Sequence, residues 1–141
     1  MALASVIDEY VAAFGAMTGI TKCYSDPPEA MTEFPCAIVY VSSGEMSVGG
    51  HGAESFHVIN LEIHHSRQVL QDAVDSAKVW PERVLYTLHT NMVADQFGGY
   101  VAAIRYPLTY EALALTYAAE VHYGMRFRID TKLITDPAVS V

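Results

Sequence analysis

Basic residues are scarce in this sequence: eight Lys and Arg stand against 16 Asp and Glu in 141 residues, a formal charge of −8. Binding nucleic acid by counterion release needs clustered Lys and Arg to neutralise phosphates, and no such cluster occurs. Cysteine is nearly missing too. Cys23 and Cys36 are too few and too far apart for a disulfide framework or a zinc knuckle, so free, buried thiols are expected. The longest apolar run, Cys36 to Val41, is far too short to span a bilayer, and no membrane partner is expected. No base precedes Lys22, so the charged region of a secretion signal is lacking, and reduced cysteines fit a cytoplasmic protein. Internal repeats and low-complexity segments are absent as well.

What is present is apolar residue, 52% of the chain. A sequence of this length buries roughly 68% of its unfolded surface, enough for a core without clips, so residues 1–141 are expected to form a single domain. The charge is uneven: residues 1–66 hold eight acids and one base, residues 67–141 eight acids and seven bases. One acidic side or end of the folded domain is therefore expected.

Leu3, Val6, Ile7, Tyr10, Val11, Phe14 and Met17 follow helical spacing and predict an opening amphipathic helix closed by Gly15 and Gly19. Asp26-Pro27-Pro28 and Phe34-Pro35 mark a loop, with room for a short strand at Thr21 to Ser25. Cys36 to Val41 is apolar at every position and reads as a strand buried on both faces. Ser42 to Ala53, with glycines at 44, 49, 50 and 52, reads as a long hairpin tip leading into a strand from Glu54 to Ser66. Helical spacing resumes at Val69 and runs to Met92, as two helices or one kinked at Pro81, and Asp95 to Gly99 ends it. The last forty residues predict a hairpin, extended from Ile104 to Leu115 with Pro107 at an edge or bulge, then turning near Tyr117 to Glu120. Its final strand has the strongest period of two: Val121, Tyr123, Met125, Phe127, Ile129, Thr131 and Leu133 face one way, and His122, Gly124, Arg126, Arg128, Asp130 and Lys132 the other. This order predicts an α+β fold, with a mixed or antiparallel sheet, helices packed on one face and two β-hairpins.

Chemistry is hard to place on this frame. His64 and His65 are adjacent on a strand and point to opposite faces, while His57 and His65 share a face about 27 Å apart at strand rise. Glu62 with His64 is the best metal candidate, but it lacks further ligands nearby, and polar surface residues account for these histidines better. Ser42-Ser43-Gly44-Glu45 lacks the flanking glycines and strand-to-helix elbow of a hydrolase, and Cys36 lies in an apolar strand. The glycines from Gly44 to Gly52 enter a strand and no Lys-Ser or Lys-Thr follows, so they do not cradle phosphate. No catalytic residue, metal or cofactor is expected, and the chain reads as a non-enzyme. Nine Tyr and five Phe could stack bases, but Tyr123 and Phe127 lie on the face opposite Arg126 and Arg128. They read as core, and the two arginines as solvent or subunit contacts paired with acids of a neighbour.

Taken together, Phe34-Pro-Cys-Ala-Ile-Val-Tyr-Val-Ser-Ser-Gly-Glu45, Val58-Ile-Asn-Leu-Glu-Ile-His64, Trp80-Pro-Glu-Arg-Val-Leu-Tyr-Thr-Leu88 and Gly124-Met-Arg-Phe-Arg-Ile-Asp-Thr-Lys132 give a pattern. It resembles the tail-terminator, or tail-completion, proteins of long-tailed bacteriophages, the family of the lambda tail protein U and minor tail proteins like it. The resemblance implies a structural virion protein: a hexameric ring assembled in the host cytoplasm that caps the tail tube and ends its polymerisation. It also implies three partners, namely the tube protein, the head connector or stopper, and DNA that passes through the lumen without specific binding. An acidic lumen would repel that DNA. The segment Gly44 to Gly52 is then the candidate for ordering against a neighbour, and Glu45, Met46, Val48, His51, Arg126 and Arg128 are the candidate interface residues. Another neck or head-completion protein and a small ligand-binding α+β domain are the alternatives.

Overall fold

The opening apolar stripe becomes helix α1 (Ala2–Gly15), which buries Val6, Tyr10 and Phe14 completely. A computed structural model describes residues 2–49, 52–66, 71–117 and 120–135 of the chain. After α1 the chain reverses through Gly19, at φ +92, where a Cβ would lie 2.8 Å from the Arg83 guanidinium and 3.1 Å from the Trp80 ring. Both the backbone angle and the close packing call for glycine there.

Strand β1 (Lys22–Tyr24) is followed by β2 (Cys36–Gly49) and β3 (Gly52–Ser66). Next come helix α2 (Gln71–Ser76), a 3-10 turn at Ala77–Val79, and helix α3 (Trp80–Ala94). Pro81 sits in the first turn of α3, where its missing N–H has no helical partner to lose. The predicted stretch Val69 and Leu70 lies outside the described residues. In the turn at Gln96–Gly99, Gln96 and Phe97 take φ near +54 and +53, uncommon angles for side-chain-bearing residues. They aim the Phe97 ring into the core, 4.6 Å from that of Tyr10. Strands β4 (Val101–Tyr117) and β5 (Glu120–Thr135) close the chain.

The sheet has the order β1-β2-β3-β5-β4, with β1 parallel to β2 and every other pair antiparallel, so the fold is α+β with a mixed sheet. Pro107 lies on the edge strand β4, within an irregularity between Arg105 and Thr109. The helices cover one face, where Ala37, Val39, Ile59, Leu61, Ile63, Phe127 and Ile129 meet Tyr10, Phe14, Trp80, Val84, Leu88 and Phe97. Tyr10 shares a buried 2.7 Å hydrogen bond with the Thr131 hydroxyl, and burial pushes its phenol pKa far up. The Trp80 indole donates to Nδ1 of His65 at 3.0 Å, which leaves the proton on Nε2, 2.7 Å from the Ser76 hydroxyl.

Two sequence expectations change. The long glycine-bearing hairpin tip is instead ladder: β2 and β3 pair from Ser43 with Val58 as far as Gly49 with Gly52. The partner strand is held on its other side by β5, from Ala53 with Thr135 to Phe56 with Lys132, and this template offsets the entropy that glycine loses in a strand. An irregularity after Val41 takes up the extra residue. The second change is at Val121, expected in the core face but 52% exposed, beyond Tyr123, the last residue at this end of β5 that pairs with β3.

Candidate functional site

Cross-strand register places Ile38, Tyr40, Glu62, His64, His122, Gly124, Arg126, Arg128 and Asp130 on the sheet face opposite the helices. This outer face has a covered end and an open end. At the covered end the segment before β2 folds back, tied by the Thr21 N–H to the Pro35 carbonyl at 2.8 Å. Met31, Cys36 and Ile38 are buried there together, with Tyr24, Phe34, Tyr40 and Tyr117 around them. Burial pushes the Cys36 thiol up to about 11 and that of Cys23 up to about 12, so both are protonated, weak nucleophiles at neutral pH.

Beneath this cover runs a line of polar groups. Arg126 Nε donates to Glu62 Oε2 at 3.0 Å, and the Tyr40 hydroxyl donates to the same oxygen. Glu62 Oε1 meets His64 Nε2 at 3.3 Å, His64 Nδ1 meets His122 Nδ1 at 2.9 Å, and His122 Nε2 meets Glu120 Oε2 at 3.2 Å. His64 is 1% exposed and His122 not at all. Burial alone would raise the Glu62 pKa, but hydrogen bonds from His64, Tyr40 and Arg126 and the Arg126 charge outweigh it, bringing the carboxyl down to about 2. The expectation of surface histidines therefore fails for His64 and for His57, which is 8% exposed. A strand apolar on both faces, as Cys36 to Val41 reads, already requires a second cover, although full burial ends at Val39 and Val41 is 37% exposed. Met31 and Phe34 supply it, and the rings of Phe34 and Tyr117 lie against the buried His122 and His64.

At the open end, Arg126 and Arg128 share a groove of about 450 Å³ with Ser42, Asn60, Thr109 and Tyr110. A second hollow of about 280 Å³ joins Arg128 to Glu45, Phe56 and Arg105. The Arg105 guanidinium lies 4.6 Å from the centre of the Phe56 ring. Each of the two arginines faces a carboxylate of its own chain. Glu62 lies directly across the ladder from Arg126, and Asp130 lies 3.4 Å from Arg128 Nε. Arg128 is 60% exposed, which leaves most of its donors open to solvent.

Of the remaining candidate residues, Glu45 and Met46 lie exposed on the projecting half of β2, Met46 at 70%. Val48 pairs with Ala53 through its backbone, and His51 lies outside the described residues. The sequence placed these residues on a loop from Gly44 to Gly52, whereas the structure sets Glu45 and Met46 along a strand edge. β1 pairs with β2 only as far as Ile38, so among the described residues no strand pairs with the outer side of β2 from Val39 to Gly49. The whole outer side of β4 is likewise an edge. Exposed sheet edges usually carry Lys or Pro as guards against pairing. Val39 to Gly49 contains neither and has one charge, Glu45, and the segment Ala112 to Tyr117 of β4 has no charge at all.

Among the described residues no three His, Cys, Asp or Glu side chains are arranged to hold a metal ion, and no helix is long and apolar enough to cross a membrane. The Ser42 hydroxyl donates to the Val58 carbonyl at 3.2 Å. A scan of protein-family models finds none that matches this chain, and no curated protein matches its sequence.

Proposed function

We propose that this chain is a ring-forming structural protein of a long-tailed phage, a tail terminator that caps the tail tube, ends its polymerisation and joins it to the head connector. The observation that carries the reading is a pair of unguarded edge stretches on opposite sides of one sheet, Val39 to Gly49 of β2 and Ala112 to Tyr117 of β4. Strands alternate in direction from β2 through β3 and β5 to β4, so β2 and β4 run oppositely. When a second copy is set beside the first in the same orientation, its β2 lies antiparallel to the first copy's β4; Ala112 of β4 is level with Ala37 of β2, so a shift along the strands brings the free stretch of β2 against Ala112 to Tyr117 and clear of β1. The same contact then repeats from copy to copy. A head-to-tail contact of this kind closes into a ring when its rotation permits. Main-chain ladder bonds supply the adhesion, and the groove bearing Arg126 and Arg128 is carried on one face of the resulting assembly.

The resemblance supports the same reading through its segments. Phe34 to Glu45 and Val58 to His64 build β2 and β3, Trp80 to Leu88 opens α3, and Gly124 to Lys132 is the middle of β5. Together they form the centre of the sheet and the helix packed on it. With a charge of −8 on each copy, the assembled ring is strongly acidic, which suits a passage for DNA that must not adhere.

Addition of the purified protein to growing tail tubes tests the reading. Growth stops, and negative-stain images show a ring at one tube end. Tubes that grow on unchanged while rings form in solution would instead indicate another neck protein.

A further inference from the structure

We propose that the open end of the outer face is a docking groove for an extended segment of a partner protein, one that brings a single carboxylate to Arg128 and Arg105 between neutral residues. Bases are scarce in this chain, and they are not spread evenly over it. Of the eight Lys and Arg, Arg105, Arg126, Arg128 and Lys132 share this face, set there by the pairing of β3 and β4 with β5. Arg126 is held by Glu62, its cross-strand partner, at 3.0 Å. Arg128 reaches Asp130 through Nε alone, at 3.4 Å, so among the described residues its two terminal NH2 groups have no protein acceptor. Arg105 is less engaged still. It stands directly across from Asp130 but forms no ion pair among the described residues, and its guanidinium lies against the Phe56 ring instead, 4.6 Å from the centre. Both arginines line the hollow of about 280 Å³. Guanidinium groups with open N–H donors, positioned by strands and by a ring, offer a fork that a carboxylate fits.

The shape of the groove suits a strand-like occupant. Arg128, Ser43 and Val58 line both hollows, which makes them continuous along β5 with an apolar patch of floor between them. From Arg126 to Asp130 the groove runs about 13 Å at strand rise, the length of four extended residues. Its width has a cause in β4. Arg105 and Thr109 are four residues apart on that strand but face Asp130 and Arg128, two apart on β5, and the hollows lie at this irregularity. The lining also decides against nucleic acid, because it holds Glu45, Glu111 and Asp130. A phosphate backbone, charged at every nucleotide, meets those carboxylates along the groove, and the chain's charge of −8 adds to the repulsion. A peptide with one acid among neutral residues brings its charge to the arginines alone. The groove lies on one sheet face of a single copy, so it stands whether or not copies join at their edges.

Arginine Nε–H signals in nitrogen-15 spectra test this, with a capped hexapeptide that carries one central Glu among neutral residues as the probe. The peptide is expected to shift the Arg128 and Arg105 signals saturably. Replacing its Glu by Gln, or offering a six-nucleotide deoxythymidine strand instead, should weaken binding by at least about tenfold, the effect of losing a hydrogen-bonded charge pair. Arg128→Gln should weaken the Glu peptide by at least about tenfold as well, and with Arg128 60% exposed the fold tolerates the change. Lys78→Gln removes the same charge from an exposed site on the 3-10 turn and should leave the affinity within about twofold. The proposal is overturned if the Gln peptide or the oligonucleotide binds as tightly as the Glu peptide, or if the Glu peptide gives no saturable shift. It is equally overturned if Arg128→Gln binds unchanged or Lys78→Gln loses as much as Arg128→Gln.

Discussion

The two faces of the sheet solve different problems. On the helix face, Ile59, Leu61, Ile63, Phe127 and Ile129 are fully buried against Tyr10, Phe14 and Trp80, and the Tyr10–Thr131 hydrogen bond is a neutral polar contact within it. On the outer face, burial at one end encloses Glu62, His64 and His122, and the other end leaves Arg128 open above a groove. A close-packed apolar face responds chiefly to lost volume, with His57 and His65, whose pKa values burial lowers, as its pH-sensitive members. A polar face responds to charge and protons, and it leaves edges and donors over for contact with something else.

That contrast sets the order of the expected effects. Phe127→Ala empties the middle of the helix face and costs about 3–5 kcal/mol in urea unfolding, nearly the same at pH 5 and pH 7. A loss that varied strongly between those pH values would break the comparison. Glu62 gives the opposite behaviour. Its folded pKa, about 2, lies below the unfolded value, so its contribution is present above about pH 4.5 and is lost as the pH falls toward 2. The expected size is roughly 2–3 kcal/mol, and Glu62→Gln should flatten that part of the acid-unfolding curve.

Gly124→Ala probes where the two faces meet through the backbone, since a Cβ there would sit 2.1 Å from the Ile63 carbonyl oxygen. Forcing β3 and β5 apart costs about 1–3 kcal/mol and should disturb the imidazole signals of His64 and His122 more than the Trp80 fluorescence. The smallest effect on stability is expected at the free edge, where Met46→Lys should change the unfolding free energy by less than about 0.5 kcal/mol. Its effect on association should be the largest of the series.

The regular parts of the fold are written in local periodicity. The period of two from Tyr123 to Leu133 and the helical stripe of α1 state which residues face the helix-side core, and only the outlying Val121 departs from it. The outer face is less legible because its cover is not periodic. Met31 and Phe34 lie in a proline-bearing loop, and their burial depends on where Thr21 and Pro35 are tied, a contact distant in sequence from His122. Cys36 to Val41 did signal a second cover through its apolar residues on both faces, but nothing local says that two histidines 58 residues apart meet beneath it. The ladder that pairs Gly44 to Gly49 with β3 was hidden for a related reason: its glycines favour a turn locally, and its strand pairing is imposed by β3, itself held by β5. Arg126 and Arg128 were placed on the correct face, yet their carboxylates follow from cross-strand register, which the alternation of a single strand does not supply.

The central claim is that the edges of β2 and β4 join copies of this chain into a ring. Sedimentation velocity on wild type and Met46→Lys, across a wide concentration range and with tail tubes added, tests it most directly. The expected result is a discrete closed oligomer, six copies by the resemblance, for wild type and a folded monomer for the variant. Wild type that stays monomeric at every concentration, with and without tubes, would contradict it.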